Sequence, residues 1–160
     1  MSALTGIAGV HYVAARLAHA GYHVAATSRN APGVDLLIAD PASFRGRGVQ
    51  VKTTVDAIRS RGRGLDKKPH HLEWDVGETS ALADAEDLLF AFVDLKQFES
   101  LPDVYFVPSP DLTRWFRTHN DGLYSRWRWH PTLEEAAPYK NRYDILGARA
   151  VPAMRGPSKP

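Results

Sequence analysis

The chain contains no cysteine, which excludes a disulfide scaffold and any thiolate metal site and fits a reducing compartment. No stretch approaches the roughly 20 uninterrupted apolar residues of a membrane span. The segment from Met1 to Ala8 lacks the basic n-region of a secretory signal, so a cytoplasmic location is expected. Internal repeats and heptad patterns are missing. None of the seven histidines forms a zinc-binding helix pair around a glutamate, and adjacent His70-His71 in a basic stretch is not a metal signature. What is present is an ordinary globular composition: 160 residues, 44% of them apolar, enough for one core. One domain over residues 1–150 is expected, followed at 151–160 by a tail with three prolines and a glycine.

Two short apolar runs end in chemistry. Gly33-Val34-Asp35-Leu36-Leu37-Ile38-Ala39-Asp40 and Gly48-Val49-Gln50-Val51-Lys52-Thr53-Thr54 both read as strands, being short, aliphatic or β-branched, and bounded by Pro, Gly and Asp. The turn-rich residues between them predict an antiparallel hairpin. Alternation puts Asp35 with Leu37 on one face, and Gln50, Lys52 and Thr54 on one face. Paired strands lie roughly 4.8 Å apart, so an acid, an amide oxygen and an ammonium can converge. A lysine inside an aliphatic strand is costly to bury without compensation, and that marks a site.

At these residues the chain resembles the PD-(D/E)XK nuclease superfamily, in the variant with Gln-x-Lys in place of Glu-x-Lys that occurs in Mrr-like endonucleases and some homing endonucleases. The resemblance runs from Gly9 to about Thr54 in motif terms, and to about Phe116 in element order. It implies an α/β, restriction-endonuclease-like fold: a mixed sheet of about five strands flanked by helices. It also implies hydrolysis of DNA phosphodiesters with Mg²⁺ or Mn²⁺, held by Asp35, Gln50 and the Val51 carbonyl. Lys52 would then position the attacking water or stabilise charge on the phosphate. The chain departs from the pattern in three places. Val34 stands where the family has proline, Gln50 replaces the second carboxylate, and Gly9 is followed by Val10 and His11 where many relatives place a glutamate. Asp35 is thus the one carboxylate of the cluster. The alternative is a catalytically degenerate nuclease fold that binds nucleic acid or a protein; a third is an assembly subunit.

Charge is segregated along the chain. Eight basic residues oppose two acids from Arg45 to Lys68, nine acids oppose one lysine from Glu73 to Asp103, and nine basic residues oppose four acids from Arg114 onward. Basic faces beside a nuclease-like strand pair point to phosphate. The expected DNA contacts are Arg59, Arg61, Arg63, Lys67 and Lys68, with Arg126 and Arg128 in the Arg-Trp alternation of residues 126–129. The acidic segment is a candidate protein-facing surface, and a homodimer is left open.

Elsewhere, Thr5 is expected to cap a helix that Gly21 stops, and Tyr22–Thr27 to form a strand. Ser60–Lys68 reads as a mobile loop, and Trp74 as a core residue or loop anchor. A short acidic helix runs from Thr79 or Ser80 to Asp87. Leu88–Leu95 is predicted as a strand buried on both faces, Val104–Pro108 as another. Ser109 is expected to cap a helix with Pro110 in its first turn, and residues 134–139 to form a helical turn.

Overall fold

The computed structural model describes residues 3–28, 33–119 and 126–144. The turn expected before Gly33, Tyr124 and Ser125, and the 151–160 tail lie outside these residues. Helix α1 (Ala3–His19) forms where apolar residues recur at helical spacing, and it buries Val13 and Leu17. It starts before Thr5, which therefore lies in its first turn rather than at its cap. Gly21, with φ of 98°, releases the chain from the helix as expected.

Strands β1 (His23–Ala26), β2 (Leu36–Ala39) and β3 (Gly46–Thr54) then run as an antiparallel meander. The expected hairpin is β2–β3, with Leu36 opposite Val49 and Leu37 opposite Gly48. Next come β4 (Ile58–Arg61), β5 (Lys68–Leu72), β6 (Trp74–Asp75) and the single-turn helix α2 (Glu78–Ala81). Strands β7 (Leu88–Asp94) and β8 (Asp103–Pro108) complete the main sheet. Helix α3 (Ser109–His119), β9 (Arg128–Trp129) and α4 (Leu133–Ala136) close the described chain. The sheet order is β1-β2-β3-β7-β8, with β3 parallel to β7 and every other pair antiparallel, a five-stranded mixed sheet.

Each face of the sheet carries its own core. Under α1 lie Leu36, Ile38, Val49, Leu89, Ala91 and Val93. On the opposite face Phe90 and Phe92 pack with Trp74, Leu112, Phe116 and Trp129, where the Phe92 and Trp129 rings stand 4.2 Å apart. Residues 89–93 of β7 are all buried, which explains the continuous hydrophobic run. Trp74 is a core residue, and its indole N–H donates to the Val93 carbonyl at 3.0 Å.

Three local expectations are corrected. The loop expected over Ser60–Lys68 is shorter than that: Ser60, Arg61 and Lys68 belong to β4 and β5, which pair as an antiparallel hairpin around a 3₁₀ turn at Gly64–Asp66. The hairpin is held by backbone bonds, so side-chain periodicity does not reveal it. The acidic helix stops at Ala81, because residues 82–87 carry no apolar stripe to bury. Ser109 does not act as the expected cap; its hydroxyl donates to the Ala83 carbonyl, fastening α3 to the segment after α2.

Candidate active site

The ladder between β2 and β3 ends at Leu36 and Val49, whereas β7 accompanies β3 as far as Thr54. From Val51 onward, β3 therefore has no β2 backbone on that side. Asp35, just before β2, fills the gap. Its N–H donates to the Val49 carbonyl at 2.9 Å, and its Oδ2 accepts the Val51 N–H at 2.7 Å. A strand residue points its N–H and C=O toward the same edge, so the Val51 carbonyl is directed to the edge where Asp35 sits.

Along β3, Val49 and Thr53 are buried beneath α1, which turns Gln50 and Lys52 to the opposite face. Two residues apart on a strand, they stand about 7 Å from each other along it. Both are half-buried. The Lys52 ammonium donates to the Val76 carbonyl at 2.8 Å. Burial pushes the Lys52 pKa below the ordinary lysine value, and the nearby Asp35 carboxylate partly restores it. The Asp35 carboxylate is thus near enough to act on the Lys52 charge without forming an ion pair with it, and Gln50 shares the strand face of Lys52. The Val76 carbonyl was not foreseen, since a backbone acceptor 24 residues from Lys52 leaves no mark in side-chain identity. Val76 is itself fixed by its N–H, which donates to the Trp127 carbonyl at 2.9 Å.

The seven basic residues expected to meet DNA divide into two groups. Arg59 pairs with Glu73 at 3.5 Å and donates to the Asp56 carbonyl, and Arg128 pairs with Glu73 at 3.3 Å and Asp75 at 3.0 Å. These two arginines join β4, β6 and β9. Arg61, Arg63, Lys67, Lys68 and Arg126 are exposed and form no ion pair with a described residue. Of the Arg-Trp alternation, Trp129 points inward, Trp127 is partly covered, and Arg126 is exposed.

The bacterial homing endonuclease I-Ssp6803I, a solved structure, matches the chain with a TM-score of 0.57 over 94% of each chain at 15% identity. The chain shares the fold of that endonuclease. No protein-family model and no curated protein matches the chain. On α1, where the superfamily pattern places a glutamate after glycine, His11 is exposed to solvent. Among the described residues, no group of three or more His, Asp or Glu is placed to hold a metal ion, and no helix is long and apolar enough to cross a membrane.

Proposed function

We propose that the protein is a metal-dependent DNA endonuclease of the PD-(D/E)XK type, in its Gln-x-Lys variant. The observation that carries this reading is Lys52, a half-buried ammonium on an aliphatic strand within electrostatic reach of Asp35, where β2 and β3 separate. A charge kept at that position against its burial cost supports a functional role.

The donors fit a hard divalent cation. Asp35 keeps one carboxylate oxygen beyond the Oδ2 bonded to Val51, and Gln50 and the Val51 carbonyl add neutral oxygens. These residues would hold Mg²⁺ or Mn²⁺, which when bound neutralises phosphate charge and makes water more acidic. The Val51 N–H orients the Asp35 carboxylate. Lys52 has three N–H donors and gives one to Val76, which leaves two for the oxygens of a phosphate on which negative charge accumulates. With one carboxylate, metal affinity is weak, and activity requires about millimolar Mg²⁺ or the tighter-binding Mn²⁺.

The test is cleavage of plasmid and short duplex DNA in Mg²⁺ or Mn²⁺, wild type beside Asp35→Ala and Gln50→Glu. Cleavage by the wild type, its loss in Asp35→Ala, and tighter metal binding by Gln50→Glu are expected. Equal cutting by wild type and Asp35→Ala would remove the site. A second reading is a nuclease fold that binds nucleic acid without cutting it. It is favoured by the lack of a three-residue acidic or histidine cluster among the described residues. No cutting under either metal, with DNA binding retained, decides for it.

A further inference from the structure

The β4–β5 hairpin is built against its own stability. Arg61 stands directly opposite Lys68 in the last rung of the ladder, a like-charge pair that destabilises a hairpin. Arg63 and Lys67 flank the tip, and Asp66 is the one carboxylate among residues 58–72. At the apex, Leu65 is fully exposed. It rides on a formed turn, in which the Asp66 N–H donates to the Arg63 carbonyl and the Lys67 N–H to the Gly64 carbonyl. Gly62 and Gly64, with φ of 106° and 56°, shape that turn, and a Cβ at Gly62 would collide with the Asp66 backbone. Crowded cations around a presented leucine gain nothing from the rest of the chain.

The base of the hairpin is anchored. Leu72 is buried and its N–H donates to the Pro131 carbonyl, while the Glu73 N–H donates to the Ala57 carbonyl. Arg59 pairs with Glu73 across the base. Everything from Ser60 to His70 is exposed. Both strands of this arm grow out of the candidate site: β3, which carries Lys52, leads into β4, and β5 leads through β6 to Val76, the acceptor of the Lys52 ammonium.

We infer that this hairpin is a major-groove probe of duplex DNA, with Leu65 against base edges and Arg61, Arg63, Lys67 and Lys68 on the flanking phosphates. The inference rests on the DNA-directed reading above and names its substrate as B-form duplex. Two strands about 4.8 Å apart, with their side chains, suit a groove about 12 Å wide and are too broad for one of about 6 Å. The natural apolar partner of a leucine there is the thymine methyl group. A-form RNA, whose major groove is deep and narrow, does not admit the arm. A polyanion also removes the Arg61–Lys68 repulsion.

The test is binding in EDTA, where cleavage does not enter. The probes are a mixed-sequence 30-base-pair DNA duplex, its uracil-for-thymine counterpart, and double-stranded RNA of the same sequence. The quadruple variant Arg61→Thr, Arg63→Thr, Lys67→Thr, Lys68→Thr is expected to bind DNA on the order of tenfold or more weakly. Its salt slope should be shallower by about 0.9 for each phosphate the variant no longer neutralises. Thermal melting of the same variant checks folding; relief of the like-charge rung predicts an unchanged or higher Tm. Uracil substitution should weaken the wild type but leave Leu65→Ala unaffected, and netropsin in the minor groove should not displace either. Binding by the quadruple variant equal to wild type, or displacement by netropsin with no effect of uracil, overturns the inference. Those results leave cleavage through Asp35 standing. Groove binding without cleavage fails the catalytic reading and not this one.

Discussion

Lys52 is a single side chain whose charge is costly to the fold and to which the proposed mechanism gives a task. Its ammonium has one backbone acceptor, Val76, and one nearby counter-charge, Asp35, in exchange for the water it gave up. Lys52→Met keeps the length and removes the charge. It should therefore be at least as stable as wild type at neutral pH, by about 1 kcal/mol, while cleavage is lost. The pH dependence has a definite sign. Burial lowers the folded-state pKa, so the unfolded chain binds the proton more readily, and wild-type stability rises as pH climbs from the depressed folded value to the ordinary lysine range. Lys52→Met lacks that rise. Tyr105 and Tyr143, pushed up to about 12 chiefly by burial, lose stability in the same alkaline range, but they do so in both proteins and cancel in the difference. Urea titrations of the two proteins from neutral to alkaline pH measure it, and a stability difference independent of pH would refute the account.

Between elements, α1 approaches β3 closely where Gly9 lies over Thr53. A Cβ at Gly9 would overlap the Thr53 side chain, which is buried and whose hydroxyl has no hydrogen-bond partner among the described residues. Alanine is the better helix former by about 1 kcal/mol, yet overpacking costs about 1–3 kcal/mol, so Gly9→Ala should be net destabilising. The combination with Thr53→Ala, which makes room, should recover part of the loss in a double-mutant cycle. A Gly9→Ala protein more stable than wild type would show that α1 simply shifts outward. The sequence made β2, β3, β7 and β8 readable, because their aliphatic runs are what a sheet between two cores requires. Of the candidate site, alternation put Gln50 and Lys52 on one face of β3, and the structure has them on one face. What the sequence did not reveal were features carried by backbone. The β4–β5 ladder buries an apolar side chain only at its base, Leu72, and the parallel pairing of β3 with β7 spans a long insertion that no local pattern announces. The Val76 tether and the real role of the Ser109 hydroxyl were hidden for the same reason.

At the scale of the molecule, part of the acidic block is paired with basic residues elsewhere among the described residues. Four acids of the negative block are paired within the chain: Glu73 and Asp75 with Arg128, Asp84 with Arg117, and Asp103 with Lys96 and Lys140. Asp94 is buried, with its carboxylate accepting the Ala57 and Lys96 N–H groups. That leaves less negative surface for a protein partner than the composition suggests, while the hairpin tip keeps its positive charge unpaired among the described residues. Asp103 does the widest structural work of these acids. At the start of edge strand β8, its Oδ2 takes Lys96 at 2.8 Å and Lys140 at 2.9 Å, and its Oδ1 takes the Asn141 amide at 3.1 Å. Asn141 in turn receives the Val104 N–H and donates its own N–H to the Val104 carbonyl, so the segment after α4 covers the sheet edge. Burial alone would raise the Asp103 pKa, but the hydrogen bonds from Lys96, Lys140 and Asn141 outweigh it and hold the carboxyl below the usual aspartate range. A depressed folded-state pKa contributes stability above the ordinary aspartate range, and that contribution is lost as pH falls through the folded value. Asp103→Asn should therefore cost about 1 kcal/mol at neutral pH, with the two lysines partly exposed and their attraction screened. Acid titration followed by circular dichroism should show the gap between wild type and variant narrowing below the aspartate range and then closing. A gap that persists once every carboxylate is protonated would mean that the side chain acts through packing, and that its charge does not hold the C-terminal segment against β8.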